Sequence, residues 1–316
     1  MEGTDAMRVV IVGAGGVGGY LGARLLSAGA EVVFLVRERR AAQLAANGLV
    51  VKSPLGDFQA PVTVVTSVSE CAPADFVVIA CKAHSLDGAL ASAAPLVHDG
   101  TRVVPLLNGV AHLETLGRCM EKGVITPGIV HGALDLRDDG TIAHLTPFLT
   151  VIVGALSDEP DPRVEAFAER LKSTAVDARA SPVIEQDLWD KFVFLTTFAG
   201  ITCLMRASIG AIMATAAGPD HVLQLLDECR TVARHEGQEP GAAAMQGYRD
   251  LLTRGGSSFT SSMLRDVEAG RPTEAEHILG DMLARAQKHG VSAPLLRTAL
   301  THLQAYEQRR SAAAIA

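Results

Sequence analysis

Arg8-Val9-Val10-Ile11-Val12-Gly13-Ala14-Gly15-Gly16-Val17-Gly18 is the stretch whose reading decides the fold. Residues 8–12 are rich in β-branched side chains and read as a buried strand. The small residues that follow have the spacing Gly-x-Gly-x-x-Gly, and a helical pattern over residues 17–28 comes next, closed by Gly29. Strand, glycine turn and helix in that order are the context a dinucleotide-binding fingerprint requires. Gly13 permits the tight turn, Gly15 lets the backbone approach a pyrophosphate, and Gly18 lets the helix pack closely on the strand. The helix N-terminus then offers N–H groups and partial positive charge to phosphates. Gly13, Ala14, Gly15, Gly16, Val17 and Gly18 are therefore expected to contact a cofactor; a purely structural glycine turn is the alternative.

Outward from this turn the pattern repeats. A second apolar run covers residues 31–36, and a helical stretch over 38–46 stops at Gly48. Residues 76–80 and 102–106 read as further buried strands, separated by a helical segment at 86–94. Continuous apolar strands alternating with helices imply a parallel sheet covered on both faces. Residues 124–134, 141–145 and 148–153 read as later strands, with Gly140 turning a hairpin. After Pro182 the strand signal fades, and residues 185–206, 221–236, 242–254, 273–289 and 294–308 read as helices. The expected boundary gives a domain 1–183 and a helical domain 184–316, with the Ala-rich tail after Arg310 frayed.

Composition narrows the classes. The chain has 316 residues, 48% hydrophobic and 20% charged, which excludes a disordered chain and suits two domains. Its net charge of -7 and 4% aromatic content disfavour a nucleic-acid coat. The five cysteines are scattered without C-x-x-C, which fits a reducing cytosol rather than a disulfide framework. The opening MEGTDAM is acidic and unlike a signal peptide. The uncharged run 192–205 is too short to span ~30 Å of hydrocarbon and reads as a buried helix. A cytoplasmic protein without nucleic-acid or membrane partners is the expectation.

The second strand ends in Arg37, where enzymes that use NAD carry a carboxylate for the ribose 2′-hydroxyl. A guanidinium there can fork onto a 2′-phosphate, so NADP(H) is expected; a solvated charge run is the alternative. Lysine occurs only at 52, 82, 122, 172, 191 and 288. Lys82 and Asn108 each follow a buried strand, at the sheet edge where ligands bind in open α/β folds. Their alternatives are a surface cap and an Asn-Gly turn. Lys191, in Leu188-Trp189-Asp190-Lys191-Phe192, stands at the head of the most apolar helix. It reads either as an exposed i,i+4 partner of Asp187 or as a general acid whose pKa burial lowers.

Taken with Cys81-Lys82-Ala83, Leu107-Asn108-Gly109 and the stretch from Ser261-Ser262-Met263 through Gly270-Arg271-Pro272-Thr273-Glu274, these pieces resemble the ketopantoate reductases (2-dehydropantoate 2-reductases), in matching order over essentially the whole chain. The resemblance implies a Rossmann doubly wound parallel sheet followed by an all-helical domain of the 6-phosphogluconate-dehydrogenase type. It implies NADPH-dependent reduction of a 2-keto acid, ketopantoate or a relative, in a cleft between the two, as in pantothenate biosynthesis. Carried over by position, Lys191 is the catalytic lysine and Glu274 its acidic partner, which also contacts cofactor. Asn108 and Lys82 position nicotinamide and substrate, Ser262 holds substrate, and Arg37 takes the 2′-phosphate.

The chain also departs from the family. Asparagines expected four and eight residues after the lysine are Leu195 and Ala199, and Leu279 replaces another asparagine. Lost amides put the identity of the substrate in question. A non-catalytic NADP(H)-binding sensor on the same fold is the competing function. No metal site is expected, since Glu274-x-x-His277 has no second copy. The sequence does not set the oligomeric state, a homodimer being one option.

Overall fold

In the computed structural model, which describes residues 7–157 and 159–315, the chain divides into two compact units. One comprises the chain up to Leu107 together with His112–Glu185; the other comprises Asn108–Ala111 and the chain from Gln186 onward. Residues 1–6, read above as unlike a signal peptide, lie outside the described residues.

The first unit runs β1 (Arg8–Val12), α1 (Gly16–Ser27), β2 (Glu31–Leu35), α2 (Glu38–Asn47), β3 (Leu49–Lys52), β4 (Phe58–Ala60), β5 (Thr63–Val65), β6 (Phe76–Ile79), α3 (Leu86–Ala93) and β7 (Arg102–Pro105). It continues with α4 (Ala111–Cys119), β8 (Val124–Ile125), β9 (Gly128–His131), β10 (Leu134–Leu136), β11 (Ile142–His144), β12 (Thr150–Val153), α5 (Pro162–Lys172) and β13 (Asp177–Ala180). Six strands form a parallel sheet in the order β5-β2-β1-β6-β7-β8. That order reverses direction beside β1, which is where an open α/β sheet leaves a crevice at its carboxyl edge.

The period-2 alternation of strand side chains explains why these runs are apolar throughout. Val9, Ile11, Val32, Phe34, Phe76 and Val78 enter one core with α1 and α5. Val10, Val12, Leu35, Val77, Ile79 and Val103 enter another with α3 and α4. The sheet is thus covered on both faces, as the sequence predicts.

Two smaller sheets, β10-β11-β3-β4 and β13-β12-β9, adjoin this one in the same unit. The strands β3, β4, β5 and β13 are too short to be read in advance, whereas α5 is legible in principle, with Asp161 and Pro162 at its start and Val164, Phe167, Ala168 and Leu171 at helical spacing. The single strand expected over 124–134 is three, because Pro127 and Gly132 (φ 147°) interrupt it. Gly140 (φ 88°) does turn the antiparallel hairpin of β10 and β11.

The second unit is helical: α6 (Ile184–Met205), α7 (Ile209–Met213), α8 (Gly218–His235), α9 (Ala242–Leu252), α10 (Ser262–Glu268), a π turn (Glu276–Gly280) leading into α11 (Asp281–Lys288), and α12 (Pro294–Ile315). Helix α6 is apolar on every side, and 67% of its most apolar 18-residue window is buried. That is the pattern of a core helix in a helical unit. The carboxylate of Glu228 on α8 accepts hydrogen bonds from the N–H groups of Leu295 (3.2 Å) and Leu296 (2.9 Å), capping α12. The helix expected over 273–289 begins only after Glu274 and opens with the π turn. The tail after Arg310, expected to fray, continues α12 to Ile315, because alanine has the highest helix propensity and extends an existing nucleus.

Candidate functional site

In the first unit the glycine turn links β1 to α1. Gly13 adopts φ 99° and donates its N–H to the Leu35 carbonyl (3.0 Å), which ties the turn to β2. A Cβ on Gly18 would overlap the Gly13 carbonyl oxygen and come within 2.9 Å of the Ala80 Cβ, so only glycine lets α1 sit this close to the sheet. A Cβ on Gly15 would meet nothing within 4 Å. Gly15 is the N-cap of α1 and makes no side-chain cap, and the first turn of α1 holds no acidic residue. These N–H groups and the space beside them fit the pyrophosphate of a dinucleotide.

Arg37 is exposed at the end of β2, as the N-cap residue of α2. Its Nη2 donates to the Ser85 hydroxyl (3.4 Å). Ser85 lies in the short 3₁₀ turn Ala83–Ser85 that follows β6. A cation and a hydroxyl donor thus flank one space at the carboxyl edge of the sheet, a pairing suited to phosphate. Nothing local in the sequence marks Ser85, which reaches Arg37 only through the fold. Lys82, exposed, is the N-cap residue of that turn, and its carbonyl accepts from the Ser85 N–H (2.9 Å).

In the second unit Lys191 and Asn108 come together. Nζ of Lys191 donates to Oδ1 of Asn108 at 2.9 Å, across 83 residues of sequence. Asn108 has this position because residues 108–111 leave the first unit for the second. Gly109 (φ 79°) allows the sharp turn, and a Cβ there would stand 3.4 Å from the His277 carbonyl oxygen and 3.7 Å from its Nε2. Burial lowers the Lys191 ammonium to about 8, and the charge of Glu274 opposes part of that fall.

Leu195 and Ala199, one and two turns along α6 from Lys191, line a small pocket with Ser262, Met263, Asp266, Glu274 and Ile278. Ser262 is exposed at the first turn of α10, while its neighbour Ser261 is the structural cap, accepting from the Leu264 N–H (3.0 Å). Met263, Asp266 and Ile278 were not singled out from sequence; their helical spacing is that of ordinary core residues. The second unit therefore gathers Lys191, Asn108, Glu274 and Ser262, while the glycine turn, Arg37 and Lys82 belong to the first. No group of three metal-ligating side chains occurs among the described residues.

Residues 9–158 match the family model of ketopantoate reductase PanE/ApbA, and residues 183–307 match the model of its C-terminal domain. The chain belongs to the ketopantoate reductase family. It is 35% identical over 304 residues to an uncharacterized oxidoreductase, YkpB, of Bacillus subtilis (strain 168), covering 96% of this chain and all of that one. It is 28% identical to a 2-dehydropantoate 2-reductase of Mesorhizobium japonicum, covering 86% of this chain and 89% of the relative. A structure of D-mandelate dehydrogenase with NADH and anilino(oxo)acetate shares the fold, with a TM-score of 0.87 and 21% identity, over 96% of this chain and 100% of that one. Like its family, this chain is an oxidoreductase, with a parallel nucleotide-binding sheet and a helical C-terminal domain. Positions 195 and 199, where the resemblance implies asparagine, carry Leu195 and Ala199.

Proposed function

We propose that this ketopantoate reductase relative uses NADPH to reduce a 2-keto acid to a 2-hydroxy acid, with Lys191 as the general acid. The observation that carries the proposal is the buried ammonium of Lys191, lowered to about 8 and held by Asn108 beside Glu274. The domain 1–183 holds the cofactor and the domain 184–316 the substrate. When bound, the nicotinamide supplies a hydride to the keto carbon. Lys191 donates a hydrogen bond to the keto oxygen as negative charge grows there and then supplies the proton. Asn108 fixes the direction of the ammonium, and Glu274 favours its charged form. Ser262 provides a hydroxyl donor for the substrate carboxylate. Gly13 to Gly18 receive the pyrophosphate, and Arg37 with Ser85 selects the 2′-phosphate of NADPH.

Leu195 and Ala199 support a narrower reading of the substrate. Both present apolar surface to the pocket that also holds Ser262 and Glu274. A substrate hydroxyl placed there loses water without gaining a partner, at a cost of about 1–3 kcal/mol. The preferred 2-keto acid thus carries an apolar tail in place of the hydroxyl of ketopantoate. Retention of Lys191 and Glu274 favours turnover over a sensor role, which requires neither. The five cysteines are all free thiols, which supports a cytoplasmic setting.

The test is steady-state oxidation of NADPH with a panel of 2-keto acids, including ketopantoate and the analogue that lacks only its hydroxyl. The analogue is expected to have the higher kcat/KM. A tenfold or greater preference for ketopantoate would overturn the apolar-tail reading. Failure of every 2-keto acid would overturn the reductase reading itself.

A further inference from the structure

We infer that Arg40 is a positioning residue for the dinucleotide: by holding the Ala14 carbonyl, its guanidinium aims the Gly15 N–H at the pyrophosphate. The inference rests on reading the glycine turn as the cofactor cradle.

Arg40 lies in the first turn of α2, three residues beyond Arg37. Its Nε donates to the carbonyl oxygen of Ala14 at 2.9 Å. Its Nη1 donates to the carbonyl oxygen of Gly140 at 3.0 Å and to Oε1 of Gln43 at 3.3 Å. Gln43 in turn donates from Nε2 to the carbonyl oxygen of Asp138 at 3.3 Å. One guanidinium therefore joins the glycine turn to the tip of the β10–β11 hairpin, which lies 100 residues beyond Arg40 in the chain.

The hairpin tip is a firm anchor. The N–H of Gly140 donates to the Arg137 carbonyl (3.0 Å), that of Arg137 to the Thr141 carbonyl (2.9 Å), and that of Thr141 to Oδ1 of Asp139 (2.8 Å). Gly140 has φ 88°, and a Cβ there would lie 2.9 Å from Nη1 of Arg40. Glycine at this position both makes the turn and admits the guanidinium. The base of the same hairpin supports the start of α1: a Cβ on Gly16 would lie 3.0 Å from the Leu134 carbonyl oxygen.

The link to the ligand is covalent. The Ala14 carbonyl and the Gly15 N–H belong to one peptide unit, and a trans peptide points them in opposite directions. Glycines flank Ala14 on both sides, so without an anchor this peptide can rotate cheaply. With the carbonyl fixed on Arg40, the N–H is held toward the side opposite the guanidinium. A preoriented donor spares the ordering cost on binding. Arginine suits the task because its planar fork reaches two carbonyls at once and stays charged even when burial lowers its pKa, as it does here.

This role differs from that of Arg37 in a measurable way. A pyrophosphate donor serves NADPH and NADH alike, whereas a 2′-phosphate contact serves NADPH alone. Arg40→Gln and Arg40→Lys are compared with the parent by fluorescence titration with NADPH, NADH and adenosine 2′-monophosphate, with circular dichroism to verify folding. Arg40→Gln is expected to raise Kd about tenfold for both dinucleotides, equivalent to about 1.4 kcal/mol. Adenosine 2′-monophosphate, which has no pyrophosphate, should bind with unchanged affinity, and kcat at saturating NADPH should stay within about twofold. Arg40→Lys keeps the charge but not the fork and is expected to lose several-fold, which keeps the test open if the glutamine variant does not fold. A loss confined to NADPH, or no loss in a folded variant, overturns the role given to Arg40. A parent protein that binds neither dinucleotide overturns the cofactor reading beneath it.

Discussion

Replacing Lys191 by methionine removes the ammonium but keeps most of the side-chain length, and so separates chemistry from architecture. Burial lowers this lysine from 10.5 to about 8. At 1.36 kcal/mol per pKa unit the shift disfavours the charged form by about 3 kcal/mol. The folded-state value lies below the unfolded one, so between pH 8 and 10.5 the unfolded chain binds more protons and stability rises with pH across that window. At pH 7 the folded protein carries the whole cost, and Lys191→Met relieves it. Against this, Oδ1 of Asn108 loses the donor now 2.9 Å away; an unpaired acceptor costs about 1–3 kcal/mol. The expected net is a variant as stable as its parent or more stable by up to about 2 kcal/mol, while kcat falls by about 10²–10⁴, the range for loss of a general acid. Urea unfolding and steady-state NADPH oxidation on the same preparation check both halves. In the parent, kcat/KM should follow the protonated fraction, falling through a break near pH 8 and then about tenfold per pH unit. Glu274→Gln removes the charge that raises the lysine, so the break should move to lower pH. A methionine variant destabilised by about 2 kcal/mol or more, or one that keeps most of its rate, would refute the assignment; so would a parent profile flat through pH 9.

Arg37→Ala should raise KM for NADPH by one to two decades, the worth of a charged hydrogen bond of about 1.5–3 kcal/mol, and leave NADH little changed; equal losses with both cofactors count against it. Gly15→Ala and Gly18→Ala should part company. Both should lose dinucleotide binding by titration, but only Gly18→Ala, which overlaps the Gly13 carbonyl, should lower thermal stability, by about 1–3 kcal/mol. Restoring amides in the Leu195→Asn, Ala199→Asn double variant should shift the kcat/KM ratio of ketopantoate to its deoxy analogue about tenfold toward ketopantoate. An unchanged ratio would mean that these positions do not read the hydroxyl.

Local chemistry alone made several features legible. The β-branched run 8–12, the glycine spacing and the helix behind it admit one arrangement, because φ 99° at Gly13 and the absent Cβ of Gly18 are properties of single residues. The apolar runs of β1, β2, β6 and β7 likewise announced a sheet covered on both faces, since a strand with one wet face alternates. The all-round apolar helix α6 was readable from its own composition, whereas the motif from Ser261 to Glu274 was legible only through its resemblance to the family. The three-residue strands β4 and β5 and the five-residue helix α7 were not readable: the strands are shorter than the apolar runs of β1, β2, β6 and β7, and the helix is little over one turn.

Tertiary structure alone decided which distant groups meet. Nothing local marks Asn108 as the acceptor for Lys191, or separates Ser261, a cap, from Ser262, which lines the pocket. Nor does the charge run Arg37-Glu38-Arg39-Arg40 say that Arg37 reaches Ser85 while Arg40 turns back to hold Ala14 and Gly140. A hydrogen bond depends on ångström distances between atoms that chain connectivity leaves 26, 83 or 100 residues apart. Only packing of the sheets and helices brings such atoms within reach. The lowered pKa of Lys191 has the same origin, since burial belongs to the folded surroundings and not to the residue.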